Sequence, residues 1–149
     1  MKIALGCDRI GYVLKETIRE FLVQNKIEYV DFGCWELERC DYTVYAKKVG
    51  EAAVSGQCDR GILADSSGVG MCIAANRIVG IQAAQISEIY SARMTRRHNN
   101  ANVLCFGARI TGPAVVQDCI NVWLTTDFDG EPHRSAQKTA DEFREKYYK

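Results

Sequence analysis

RGILADSSGVG, residues 60–70, is the stretch whose reading decides the fold. Its first six residues are a short apolar run, the pattern of a strand buried on both faces. Its last five are small, with two serines and two glycines, and they lead into a helical stretch through Met71, Ile73 and Ala74. A buried strand that passes through a Gly/Ser loop into a helix is half of a βαβ unit. Such units build parallel sheets covered by helices.

Outward from this stretch the same alternation recurs. Upstream, KIALGC (residues 2–7) reads as a strand, and Val13, Leu14, Ile18, Phe21, Leu22 and Val23 form a helical stripe. A second strand is expected over 27–33 and a helix over 42–55. Downstream, strands are expected over 81–86 and 102–108, with a helix over 89–97 between them. Gly112 and Pro113 open a further helix, since proline suits a first helical turn. A last polar helix is expected over 134–148. The order predicts an α/β protein: one domain over residues 1–149, a three-layer Rossmann-like sandwich with a five-stranded parallel sheet. Ligands of such sheets bind beyond the carboxyl ends of the strands. That singles out residues 7–11, 33–42, 65–70, 87–88 and 107–112.

The composition fits this picture and excludes others. The chain has 149 residues, 47% hydrophobic and 26% charged, enough for a real core. Nineteen basic residues balance nineteen acidic ones, which argues against a nucleic-acid partner. No apolar run approaches the roughly 20 residues of a membrane span, and the N-terminus has too short an apolar stretch for a secretion signal. Seven cysteines occur, with no C-x-x-C pair. Their spacing predicts free thiols in a reducing cytoplasm, and neither a zinc site nor a redox motif.

Within the loop, Ser66, Ser67, Gly68, Val69 and Gly70 offer backbone N–H groups and a hydroxyl to an anion. Asp65 at the strand tip is a carboxylate that could move a proton. The plainer alternative is a capped helix start and a turn. His98 and Asn99 follow the basic run 93–97; His98 is either a proton carrier or a partner of the helix dipole. Arg109, at a strand tip, holds an anion or pairs with a surface acid. Asp8 and Arg9 follow strand one, in the crevice. Tyr42 and Tyr45 lie near the second crossover, lining a site or filling the core. His133 and Arg134 open the last helix, where a surface role is the default. Cys72 is either a displaced thiol base or a packed core residue. The strand-one loop GCDRIG is not a dinucleotide fingerprint, so no nicotinamide cofactor is expected.

Together, KIALGCDRIGYVLKE, VDFG, DYTVYA, RGILADSSGVGMCIAANRIVGI, YSARMTRRHNNANVLCFGARITGP and the late DGEPH resemble the ribose-5-phosphate isomerase B family, which includes the subunits of galactose-6-phosphate isomerase. The resemblance implies a cofactor-free and metal-free aldose–ketose isomerisation of a small phosphorylated sugar. It also implies a homodimer, or dimer of dimers, whose sites are shared between subunits. A base at position 65 moves the proton, the loop N–H groups stabilise an enediolate, and His98 opens the sugar ring. Asn99 and Asp8 hold sugar, Tyr42 lines the site, and Arg109 holds phosphate. His133 and Arg134 fall in the substrate-binding tail.

The chain also departs from the family pattern. Asp65 stands where the common base is cysteine, and Met71 where another branch has glutamate. Ser66 and Ser67 replace glycine and threonine, and Arg9 replaces histidine. The tail pattern G-G-R-H-x-x-R reads Gly130-Glu131-Pro132-His133-Arg134-Ser135-Ala136, so both its arginines are replaced, by Pro132 and Ala136. Three functions follow. Asp65 is the base of an isomerase, with Arg9 and Arg109 carrying the phosphate. Or the chain is an altered subunit beside a homologous partner. Or it binds a sugar or anion without turnover.

Overall fold

The computed structural model describes residues 1–35 and 40–147, with the side chains of 144 and 145 left aside. Five strands are present: β1 (Lys2–Cys7), β2 (Glu28–Asp31), β3 (Arg60–Asp65), β4 (Ala83–Ile86) and β5 (Val103–Gly107). They alternate with α1 (Tyr12–Gln24), α2 (Tyr42–Val54), α3 (Val69–Ala75), α4 (Ile89–Arg97) and α5 (Pro113–Leu124); α6 (His133–Tyr147) follows. All neighbouring strands are parallel, in the order β2-β1-β3-β5-β4. This is the expected three-layer Rossmann-like sandwich.

Alternation along the strands makes the layers. Ile3, Leu5, Cys7, Ile62, Ala64, Leu104 and Phe106 face α1, α4 and α5, where Leu14, Ile18, Ala92, Val116, Ile120 and Trp123 complete one core. Ala4, Leu63, Val103 and Cys105 face α2 and α3, against Ala46, Val49, Met71 and Ala75. Each large side chain so buried contributes about 1.5–3 kcal/mol. A charged pair is sealed at the edge of the first layer. Lys15 is 0% exposed, and its Nζ donates to Asp31 Oδ2 (2.7 Å) and to the Cys34 carbonyl (3.2 Å) beneath the Trp35 ring. Its bonds fix where the chain goes after β2.

Three strands are shorter than expected, β5 by one residue at each end, and β2 and β4 are cut short for local reasons. β2 stops at Asp31, although Phe32 still donates to the Leu5 carbonyl and Gly33 accepts from Cys7. Gly33 has a φ of +95° and turns the chain away. β4 starts at Ala83, because Ile81 closes a turn onto Ile78 and the Gln82 N–H is taken by the Asn102 side chain. The free-thiol expectation is corrected at one pair. Cys34 and Cys40 are joined in a disulfide, their Cα atoms 6.7 Å apart across the β2–α2 connection. The six-residue spacing is unlike a redox motif.

Candidate functional site

The order of the strands sets the crevice. The chain leaves β1 for β2 on one side, then crosses back to β3 on the other. The tips of β1 and β3 therefore flank the switch point where ligands bind in this architecture. Asp8 and Asp65 follow those tips. Asp8 N–H donates to the Ala64 carbonyl, which locks the two strand ends together.

The loop after β3 wraps around the Asp65 side chain. Oδ1 accepts the N–H groups of Ser67 (2.8 Å) and Gly68, and Oδ2 accepts that of Met71 (2.9 Å). Asp65 is 5% exposed. Gly68 makes the wrap possible with a φ of +79°, a conformation that costs glycine little. Gly107, paired with Asp65 across β3 and β5, is needed from below: a Cβ there would stand 2.7 Å from the Ser67 backbone. The Gln85 side chain supports the loop from β4 by donating to the Ser67 carbonyl (3.3 Å). Three converging N–H groups thus hold a planar, delocalised carboxylate.

Other expected residues gather round this loop. Gly70 lies between Asp65 Oδ2 and the ring of Tyr42, since a Cβ on it would meet both, at 3.4 and 3.3 Å. Asp41 caps α2 through Thr43 N–H (2.9 Å) and so fixes Tyr42. Asp8 accepts from Gly11 N–H (2.8 Å), and its carboxyl is pushed above the usual range, by burial first and by the nearby Asp65 charge. Gly11 sits against the Ala64 carbonyl with no room for a side chain. Arg109 N–H donates to the Ser66 carbonyl (3.1 Å), which ties the β5 tip to the loop. Its exposed guanidinium borders a recess of about 320 Å³ also lined by Ile10, Val13, Thr111 and Pro113. Arg9 is exposed on the preceding turn. Thr111, which the sequence reading missed, is 6% exposed, and its Oγ1 has no hydrogen-bond partner among the described residues. Its place between a strand tip and a Gly-Pro helix opening was the available signal.

Cys72 comes nearer to the packing expectation, lying against the core layer under α2 and α3. It is half-buried rather than in the core, and it turns toward β4, with Sγ at 3.4 Å from the Ala83 carbonyl and Asn76 Nδ2 at 3.6 Å. The Cys105 thiol beside it, with smaller help from backbone and Asn76, lowers its pKa to about 7.

His98, Asn99, His133 and Arg134 are elsewhere. α4 starts after the carboxyl tip of β4 and runs back for nine residues, about 13 Å. It delivers His98 to the amino edge of the sheet, where β4 and β5 begin. There His98 stacks on His133, ring centroids 4.2 Å apart. Asp129 sits beside them, bound by Arg97 Nε (3.1 Å) and Nη2 (2.8 Å). The ligand atoms of His98, Asp129 and His133 all lie within 4.8 Å of one another, so this trio could hold a metal ion. Arg134 lies over the Phe128 ring, 5.8 Å from its centroid, and Asn99 is exposed. One chain therefore carries two separate groups of candidate residues, at opposite ends of the strands.

Comparisons with known proteins agree with this architecture. The model of the family described as Ribose/Galactose Isomerase matches residues 3–140. Ribose-5-phosphate isomerase B of Escherichia coli is 44% identical over 133 residues, 89% of each chain. Galactose-6-phosphate isomerase subunit LacB of Clostridium acetobutylicum is 34% identical over 86% of this chain and 74% of its own. The solved structure of Clostridium thermocellum ribose-5-phosphate isomerase B superposes with a TM-score of 0.96 at 42% identity, covering 99% of both chains. A likeness that spans nearly the whole chain in sequence and in fold settles its kinship: the chain belongs to the Ribose/Galactose Isomerase family.

Proposed function

We propose that the chain is an aldose–ketose isomerase of a phosphorylated sugar, of the ribose 5-phosphate/ribulose 5-phosphate type, acting through an enediolate as one domain over residues 1–149. The observation that carries the reading is the loop that closes on Asp65. An enediolate is planar and spreads negative charge over two oxygens, as a carboxylate does, and a backbone shaped to hold one suits the other. Asp65 Oδ2 has one backbone donor against two on Oδ1, and it faces Gly70 and Tyr42. It is the oxygen that takes the proton from the second sugar carbon and returns it to the first. The Gly70 N–H, at the start of α3 where the helix itself supplies no acceptor, and the Ser67 hydroxyl, oriented by the Val69 N–H that it accepts (3.3 Å), serve the enediolate. Asp8 holds sugar hydroxyls. Arg9 and Arg109 carry the phosphate, with the unpartnered Thr111 hydroxyl beside them.

The separation of the two groups supports a shared site. His98 stands about one strand length, roughly 16 Å, from the Asp65 edge, too far to open a ring held there. In a homodimer or dimer of dimers, His98 and Asn99 of one subunit, with its His133 and Arg134, complete the Asp65 site of the other. A cytoplasmic setting is supported by five free cysteines, four of them buried.

The same bonds favour a second reading. Asp65 already occupies the loop donors, as it would in an altered subunit that leaves the chemistry to a homologous partner. The test is proton exchange in heavy water. The purified chain alone meets ribose 5-phosphate, allose 6-phosphate, galactose 6-phosphate and their ketoses, beside Asp65→Asn. Exchange at the second carbon with one sugar, slowed about 10³-fold in the variant, is expected from loss of a general base. Exchange unchanged in the variant would overturn Asp65 as base. No exchange with any sugar would overturn the self-sufficient isomerase and favour the altered subunit.

A further inference from the structure

The group at the amino edge has a chemistry of its own. His98 ends α4, His133 begins α6, and Asp129 lies in the turn that joins α5 to α6. Two imidazoles and a carboxylate are the donor set that suits zinc and its neighbours, whereas magnesium and calcium prefer oxygen alone. The three ligand atoms are gathered within 4.8 Å, and a tetrahedral ion needs them about 3.4 Å apart. The two imidazoles are stacked, so one ring swings out of the stack to aim its lone pair at the ion. The carboxylate of Asp129 is already oriented, and the backbone of His98 is held. The Asp129 N–H donates to the Arg97 carbonyl (3.0 Å) and its carboxylate to Arg97 is bidentate, while Gln137 Nε2 donates to the His98 carbonyl (3.1 Å). Such surrounding bonds fix ligands before the metal arrives.

We propose that His98, Asp129 and His133 form a binding site for a divalent transition ion of the zinc class, which clamps the start of α6 to the end of α4. The ion is no cofactor of the isomerisation. Its consequence rests on the proposed isomerase: an imidazole nitrogen bound to metal cannot carry a proton, so occupancy stops ring opening by His98. The adjacent Arg97 guanidinium repels a cation and keeps the site in the micromolar range. Occupancy is therefore reversible.

The experiment is a cobalt titration of the full reduced chain, read by visible absorption, with zinc as competitor. Expected are the bands of nitrogen and oxygen ligation, one ion per chain, and displacement by zinc. His133→Gln weakens binding about 100-fold and Asp129→Asn about tenfold, both at exposed or half-buried positions that leave the fold intact. Absence of the bands, equal binding in both variants, or the charge-transfer band of a thiolate would overturn the site. A parallel assay follows zinc inhibition with a closed-ring aldose phosphate. The wild type is inhibited, and Asp129→Asn needs about tenfold more zinc. Cobalt bands without inhibition would overturn the consequence for His98 alone. The spectrum does not pass through catalysis, so an inactive chain would fail the isomerase reading without touching the metal site.

Discussion

The two edges of one sheet are built in opposite ways. At the carboxyl edge, backbone N–H groups hold the Asp65 carboxylate, and glycines at 68 and 107 let main chain approach main chain. At the amino edge, side chains hold side chains: His98 on His133, and Asp129 on Arg97. Backbone donors are fixed when the protein folds, so they suit a charge that must be stabilised in one geometry. Imidazoles on half-buried rotamers can shift, so they suit proton transfer. The difference teaches that the two halves have different tolerances.

The strongest way to break this comparison is to inactivate each edge separately. Asp65→Asn and His98→Asn should each lose at least 100-fold in rate. Mixing the two and allowing subunits to exchange should restore about a quarter of the wild-type activity, because half the dimers are hybrids and each hybrid has one intact site. No recovery after verified exchange would show that both groups serve the same chain.

Gly107→Ala comes next. The added methyl meets the Ser67 backbone, which cannot swing away as a side chain would. We expect a loss of about 1–3 kcal/mol in urea unfolding and a larger relative loss of activity. Unchanged stability would mean that the loop is softer than its bonds suggest. Thr111→Val separates stability from binding. It removes a buried hydroxyl without a partner, so the free protein gains about 1 kcal/mol while the KM for the phosphorylated sugar rises several-fold. A stabilised variant with unchanged KM would remove Thr111 from the phosphate end.

The smallest expected effect concerns Cys72. With its pKa lowered to about 7, it is about half thiolate at neutral pH, whereas burial lifts Cys7 to about 12 and Cys119 to about 11. Iodoacetamide should label Cys72 first, with a rate that falls several-fold as the pH drops from about 7.5 to 6. Mass spectrometry locates the label. Little loss of activity is expected; a loss above tenfold would extend the working recess toward β4.

Much of this was legible in the sequence, and the boundary is instructive. Strands such as KIALGC and RGILAD are buried on both faces, so composition alone marks them. α4 was read at its true bounds because its amphipathic stripe and basic last turn are local. What escaped was set by distance across the fold. The trio His98, Asp129 and His133 draws on two helix ends and a turn. The Cys34–Cys40 pair joins residues whose spacing carries no motif. The bonds of Asp65 to its own loop depend on Gly68 adopting a positive φ. The placement of His98 was derivable: a helix that leaves a strand tip and runs antiparallel must end at the far edge.

Position 65 behaves as a socket. Its backbone is locked to the end of β5, by the ladder to Gly107 and by the Ala108 N–H on its carbonyl (2.8 Å), while its side chain meets the donors of a loop. A thiolate and a carboxylate both fit a ring of N–H groups. The sheet does not sense which is present. On the proposed role of Asp65, exchange there alters proton chemistry while the hydrophobic layers stay as they were, so a lineage can change its reaction at this point without first having to survive a weakened fold.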